Sequence, residues 1–245
     1  MLASSLKSVI KRLFSKATID RTRLWLDRFV GYREITYSQF GEDLFLREYF
    51  KDKANGFYVD IGAYHPCQFS NTFFLYQNRG WHGINVEANP ACIRLFNQIR
   101  KRDINLNVVV SDRNETVQYH SWGISSENSM DPAQVNALTQ RLGAAPKVIE
   151  LAAQPLSQLL DRHCSGGQAI DLLNVDVEGS DLAVLKSNDW SRYRPQIVAV
   201  EQFGSSLEAL GKTDLYQYLL AQGYGLIAWY RPTLIFERQQ TPRRG

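Results

Sequence analysis

Several features that mark common protein classes are scarce or missing here. Cysteine occurs three times, at Cys67, Cys92 and Cys164. The three are isolated, lack metal-ligand spacing and are odd in number, which argues against a disulfide framework and points to a reducing cytoplasm. No apolar run approaches the about 20 residues of a transmembrane helix. Lys7, Lys11, Arg12 and Lys16 interrupt any signal-peptide core, so neither cleavage nor export is expected. The net charge of +3 over 245 residues is small and its excess sits at the chain ends, which argues against a nucleic-acid partner. No internal repeat is present.

Glycine is also sparse where a dinucleotide fingerprint would need it. Gly56-Phe57-Tyr58-Val59-Asp60-Ile61-Gly62-Ala63-Tyr64-His65-Pro66 reads as a buried parallel strand turning sharply toward a helix, but Tyr64 and Pro66 fill the region of the second and third glycines. What the stretch does offer is a turn at a strand's C-terminal end, where open α/β sheets bind ligands. Gly62 permits close backbone approach, and a helix start near Phe69 to Thr72 would present N–H groups.

The next strand, Trp81 to Glu87, again climbs through apolar residues to an acid, one strand–helix–strand unit after Asp60. Asp60 and Glu87 should therefore emerge side by side, and a carboxylate there can accept both hydroxyls of a ribose. A third strand over Ile104 to Val110 ends in Ser111-Asp112, suited to hydrogen bonds with an adenine edge. Together these predict an adenosine-containing cofactor.

At this point the chain resembles the FkbM family of S-adenosylmethionine-dependent methyltransferases. The resemblance is carried by Ser38-Gln39-Phe40-Gly41-Glu42-Asp43, Val59-Asp60-Ile61-Gly62-Ala63, Ser70-Asn71-Thr72, Gly80 to Pro90, and Leu173-Asn174-Val175-Asp176-Val177-Glu178-Gly179. It spans roughly positions 36 to 203 in register and departs at Tyr64, where the family carries Asn. It implies an α/β class I methyltransferase fold: a Rossmann-like, mostly parallel sheet with an antiparallel C-terminal hairpin and helices on both faces. It also implies S-adenosyl-L-methionine held by Asp60, Gly62, Ala63, Glu87, Ser111, Asp112 and Asp176.

The remaining chain fits that frame. Ser38 to Phe50 reads as a helix with Ser38 as its cap, and Gln39 and Asp43 as candidates to face the site. Phe69 to Arg79 and Pro90 to Arg102 read as crossover helices, the second capped by Asn89. Periodicity fails from Gly123 to Pro146, which reads as a lid or acceptor-binding insertion, the alternative being a plain excursion. Strands at Thr116 to Trp122, Lys147 to Ala153, Ala169 to Val177 and Gln196 to Glu201 and helices at Leu156 to His163, from Leu182, and at Thr213 to Gln222 precede a hairpin of Gly225 to Tyr230 with Thr233 to Glu237. The methyltransferase domain thus covers 36–238, with a disordered tail at 239–245. Residues 1–35 form a basic arm. Leu6, Val9, Ile10, Leu13 and Phe14 make an apolar stripe between cations, which suits peripheral contact of residues 4–16 with the inner face of a membrane, or packing on a protein.

For catalysis, Asp176 and Glu178 flank Val177, so on a continuing strand both carboxylates would share a face beside the acceptor. They could deprotonate it, share a proton, or, with Glu201, hold Mg²⁺. The plainer alternative is that one caps the helix near Ser180. His65, in the turn after the first strand, is a further candidate base. The resemblance, together with the basic arm, implies O-methylation of a hydroxyl on a sugar of a surface polysaccharide or glycolipid. The rival readings are a nicotinamide-dependent oxidoreductase and a non-catalytic, cofactor-binding scaffold that recruits glycan-assembly enzymes.

Overall fold

The computed structural model describes residues 15–18, 21–22, 25, 34–123, 128–130, 132–164 and 167–239. The chain divides into two units, Met1–Ile35 and Thr36–Gly245. In the first, the described residues 16–18, 21–22 and 25 are helical, and the Ser15 hydroxyl accepts the Thr18 N–H at 3.2 Å. The expected amphipathic segment at 4–16 lies outside the described residues except for its last two positions. Among the described residues, no helix is long and apolar enough to cross a membrane.

In chain order the second unit comprises α1 (Glu42–Tyr49), β1 (Phe57–Ile61), α2 (Phe73–Arg79), β2 (His82–Val86), α3 (Pro90–Ile99), β3 (Ile104–Leu106), β4 (Val109–Val110), β5 (Glu115–Ser121), α4 (Pro132–Leu142), β6 (Lys147–Gln154), α5 (Leu156–His163), β7 (Leu172–Val175), α6 (Asp181–Lys186), β8 (Ile197–Glu201), α7 (Leu207–Leu210), α8 (Asp214–Ala221), β9 (Tyr224–Tyr230) and β10 (Thr233–Arg238). Seven strands form one sheet in the order β3-β2-β1-β7-β8-β10-β9, and β4-β6-β5 form a small second sheet. Pairing from β3 to β8 is parallel, whereas β10 runs antiparallel to both of its neighbours.

Strand periodicity sorts the side chains of the large sheet onto two faces. Phe57, Val59, Ile61, Ile84, Val86, Leu173 and Val175 pack with Leu156, Leu159 and Leu160 of α5, Val184 and Leu185 of α6 and Leu219 of α8. Tyr58, Leu172, Ile197 and Ala199 instead meet Leu46 of α1 and Phe73, Leu75 and Tyr76 of α2. With both faces covered, β1 and β7 are buried along their whole length.

One row breaks this apolar order. Asp60 lies opposite Asn85 on β2 and Asn174 on β7, so three polar side chains run across the middle strands on the α1–α2 face, and all are buried. Buried polar atoms need partners. Asn174 Nδ2 donates to Asp60 Oδ1 at 2.8 Å, the Thr72 hydroxyl donates to Asp60 Oδ2 at 2.8 Å, and Asn71 Nδ2 donates to Asn174 Oδ1 at 2.9 Å. The loop between β1 and α2 is thereby tied to the sheet.

Several boundaries differ from expectation. The strand expected over 104–110 is two strands in two sheets. Asn107 Nδ2 donates to the carbonyls of Glu87 and Ala88 at 2.9 and 2.8 Å, which turns the chain off the large sheet, and Val109 and Val110 pair with Ala153 and Gln154 instead. The second helix starts at Phe73 rather than Phe69, because Phe69 has φ +53°, outside helical space. The segment 123–146 contains the helix α4, although its polar composition gives no clear period. α1 begins after Gly41 rather than Ser38; the Ser38 hydroxyl accepts the Gly41 and Asp43 N–H groups. Asn89 caps α3 as expected, accepting the Ala91 N–H at 2.9 Å. The first residue of the expected tail, Gln239, donates its N–H to Gly223 at 2.9 Å.

Candidate active site

A cleft opens at the C-terminal ends of β1, β2, β7 and β8. It is lined by residues including Asp60, Gly62, Ala63 and Tyr64 after β1, Glu87 and Ala88 after β2, Val108 to Val110 and Tyr119 of the small-sheet side, Asn174, Asp176 and Glu178 after β7, and Glu201. Gln39, Phe69, Ser70, Asn71, Asn128, Ser129 and Met130 complete its rim and walls.

Gly62 allows the floor to close, for a reason other than the one expected. It has φ +79°, and a Cβ on it would stand 1.7 Å from the Asp176 carbonyl oxygen. The required close approach is thus between the two strand ends. The Gly62 and Ala63 N–H groups both donate to the Val86 carbonyl, which draws β1 and β2 together beneath the cleft.

Glu87 is buried. Its carboxylate accepts the Tyr64 N–H at 2.8 Å and the Asn89 N–H at 2.6 Å. Those bonds favour the ionised form, but burial outweighs them and pushes the group up to about 7. Each carboxylate oxygen has acceptor capacity beyond one N–H, so the group remains able to bind a ligand hydroxyl. Asp60 is likewise raised by burial.

The carboxylates after β7 are arranged differently from the expected pair. β7 ends at Val175, and Glu178 has φ +53°, so no extended strand carries Asp176 and Glu178 onto one face. Neither caps α6. Asp181 instead accepts the Val177 and Gly179 N–H groups at 3.2 and 3.1 Å. Asp176 is exposed to the open cleft, while protein packed around it at longer range still deprives its carboxylate of bulk water. That desolvation, then the neighbouring charges of Glu201, Glu178, Asp181 and Asp60, raises it well above the usual carboxylate range. Glu201 is pushed up to about 7, by burial first and by Glu178 and Asp181 next.

Other expected residues fall elsewhere. Among the described residues, no three His, Cys, Asp or Glu side chains come together as a metal-holding group, so Asp176, Glu178 and Glu201 are not joined into one. Ser111 and Asp112 do not line the cleft, because β4 carries them into the small sheet. Asp43 is buried and accepts the Tyr37 N–H at 3.0 Å and the Ser38 hydroxyl at 2.7 Å. His65 does not line the cleft. Its Nδ1 accepts the Cys67 and Gln68 N–H groups at 3.2 and 3.0 Å, which braces the turn, and burial lowers its pKa.

Sequence reasoning missed Asn174, Asn71, Tyr119 and Met130 as lining residues. Asn174 alone carried a signal, a polar residue inside the apolar run Leu172 to Val175. Two cleft aromatics, Tyr64 and Phe69, stack with ring centroids 6.2 Å apart. Both have positive φ, as does Glu178, a conformation costly for non-glycine residues and concentrated at functional sites.

A sheet with the order β3-β2-β1-β7-β8-β10-β9, its one reversed strand second from the edge, and a cleft at the strand ends define the class I methyltransferase architecture. Residues 60–226 match the family model described as the methyltransferase FkbM domain, and the chain belongs to that family. No curated protein matches the chain. Among solved structures, it is similar to methyltransferase FkbM from Methylobacillus flagellatus KT, with 15% identity over 75% of this chain and 43% of that one and a TM-score of 0.45. It is also similar to a TehB-like SAM-dependent methyltransferase from Corynebacterium glutamicum ATCC 13032 Kitasato, with 9% identity over 91% and 98% of the two chains and a TM-score of 0.40. The chain spans less than half the length of the Methylobacillus protein.

Proposed function

We propose that the protein is an S-adenosyl-L-methionine-dependent O-methyltransferase that methylates a sugar hydroxyl of a surface polysaccharide or glycolipid. The observation that carries this reading is the charge of the cleft. Asp60, Glu87, Asp176, Glu178 and Glu201 line it, and no Lys, Arg or His is among its described lining residues. Burial raises several of these acids, so the cleft gains negative charge as pH rises through about 7; ionised, they attract a cationic ligand, and no basic group among the described lining residues is there to neutralise the pyrophosphate that a nicotinamide-binding site must hold. S-adenosyl-L-methionine carries a sulfonium and an ammonium against one carboxylate, so its net positive charge suits these acids.

The donor set fits the rest of the cofactor. Ala88, Val108 to Val110, Tyr119 and Met130 supply an apolar wall for a flat base, and Glu87 supplies a carboxylate for ribose hydroxyls. When bound, the cofactor would supply an electrophilic methyl group for in-line displacement. Asp176 and Glu201, both raised carboxyls lining the cleft, are the groups able to orient an acceptor hydroxyl and, when ionised, take its proton. The aromatic rings of Tyr64 and Phe69 offer a surface on which a sugar ring can rest. Among the described residues, no group of three His, Cys, Asp or Glu side chains is gathered for a cation such as Mg²⁺.

Mass spectrometry of surface glycans from cells with and without the gene tests the reading. A methyl group missing from one sugar is the expected result. Unchanged glycans would remove the sugar acceptor, and would favour the scaffold reading if the protein still binds the cofactor.

A further inference from the structure

Arg100 has no exposed surface, a rare fate for arginine that demands full pairing. It follows α3, and its guanidinium makes four hydrogen bonds: Nε to the Pro66 carbonyl at 2.8 Å, Nη1 to the Tyr58 hydroxyl at 2.8 Å, and Nη2 to the Ser70 and Thr72 hydroxyls at 2.9 and 3.2 Å. Asp103 Oδ2 lies 3.7 Å from Nη1, and the guanidinium sits 4.9 and 5.1 Å from the ring centroids of Tyr76 and Phe73. Three of its four acceptors, Pro66, Ser70 and Thr72, belong to the loop between β1 and α2. That loop carries Tyr64 and Phe69 in left-handed conformations and delivers the Tyr64 N–H to Glu87.

We infer that Arg100 is a positioning residue for the cofactor site: its planar fork holds the 62–72 loop in the strained shape that the cleft requires. The loop's backbone is costly in isolation, so groups outside it must over-determine its shape; beside the sheet contacts through Asp60, Asn174 and Glu87, the guanidinium is a single side chain that touches it at three separated points. A lysine in its place would keep the charge but could not span those acceptors. The relay reaches the cleft through Thr72, whose hydroxyl meets Arg100 on one side and donates to Asp60 on the other. The inference rests on the cofactor reading of the cleft.

The test measures S-adenosylhomocysteine affinity by calorimetry, with thermal midpoints alongside. Arg100→Lys is expected to weaken binding at least about tenfold, one charge-assisted hydrogen bond or more. Thr72 does not line the cleft, so Thr72→Val reads the relay even if Arg100→Lys fails to fold. It should weaken binding about tenfold, and Thr72→Ser, which restores the hydroxyl, should bind within about twofold of wild type. Tyr224→Phe removes a buried hydrogen bond to the Pro195 carbonyl on another edge of the sheet and controls for stability. It should lower the midpoint without changing affinity. Affinities that follow the midpoint alone across all four variants, or Arg100→Lys and Thr72→Val binding like wild type, overturn the inference. A wild-type protein that binds no S-adenosyl compound overturns the cofactor reading, and this inference with it.

Discussion

A β-carbon placed on Gly62 would lie 1.7 Å from the carbonyl oxygen of Asp176, so the ends of β1 and β7 meet only because position 62 has no side chain. The obstacle is backbone, which cannot swing aside as a flexible side chain would. With φ +79° at the same residue, Gly62→Ala meets both a clash and a disfavoured conformation. We expect it to lose more than about 2 kcal/mol of stability in denaturant unfolding and to bind no cofactor. A variant as stable as wild type would show that the strand ends can separate freely.

Glu87 joins the ends of the loop and of β2 through the Tyr64 and Asn89 N–H groups. Replacing it with Ala removes the carboxylate proposed to accept the ribose hydroxyls, and such hydrogen bonds contribute about 1.5 to 3 kcal/mol each. Affinity for S-adenosyl-L-methionine should therefore fall at least about tenfold. Unchanged calorimetric affinity would remove the ribose assignment.

The raised carboxyls give stability a definite pH dependence. Glu87 and Glu201 titrate near 7 in the folded protein, each chiefly because burial disfavours its charge. Between the ordinary carboxylate range and about 7, the folded chain holds protons that the unfolded chain has released, so stability falls as pH rises through that window. The ligand-free protein should melt at a higher temperature near about pH 5.5 than near about pH 7.5, and Glu87→Gln should flatten the difference. Binding should show the opposite trend. Ionised acids favour a cation, so the preference for the sulfonium cofactor over its neutral thioether product should grow over the same pH range. A preference independent of pH would disconnect these carboxyls from the ligand.

On the proposed function, acid–base assistance to the acceptor hydroxyl falls to the carboxyls of Asp176 and Glu201 that line the cleft. General acid–base help contributes about 10²- to 10⁴-fold, so Asp176→Asn should reduce turnover by that order, a larger loss than it causes in cofactor affinity. Because Asp176 and Glu201 act on one another's charge, Glu201→Gln should shift the pH optimum of the remaining acid rather than abolish turnover. Full activity in both variants would move the proton-transfer role elsewhere.

Much of this architecture is legible in the sequence. Phe57 to Ile61, His82 to Val86 and Leu172 to Val175 are apolar runs ending at polar turns, and burial on both faces of a parallel sheet demands such runs. Asp60 and Glu87 reach the cleft because a strand–helix–strand unit leaves little choice. Other features depend on contacts that no local pattern encodes. The helix expected over Pro90 to Arg102 does not distinguish Arg100 from Lys101 and Arg102, and only the packing at the end of α3 buries the first while its two neighbours are exposed. Val109 and Val110 look like the end of β3 until the Asn107 side chain captures two carbonyls of the β2 end. Glu178 reads as a strand continuation, yet it and Gly179 both take positive φ and turn the chain. In that last case, Gly179 was the available signal.

The most direct test of the account is a titration of purified protein with S-adenosyl-L-methionine, S-adenosylhomocysteine and NADH under identical conditions. The apolar wall and the acids of the cleft together predict saturable one-to-one binding of both S-adenosyl compounds and none of NADH. Binding of NADH, or failure to bind either S-adenosyl compound, would contradict it.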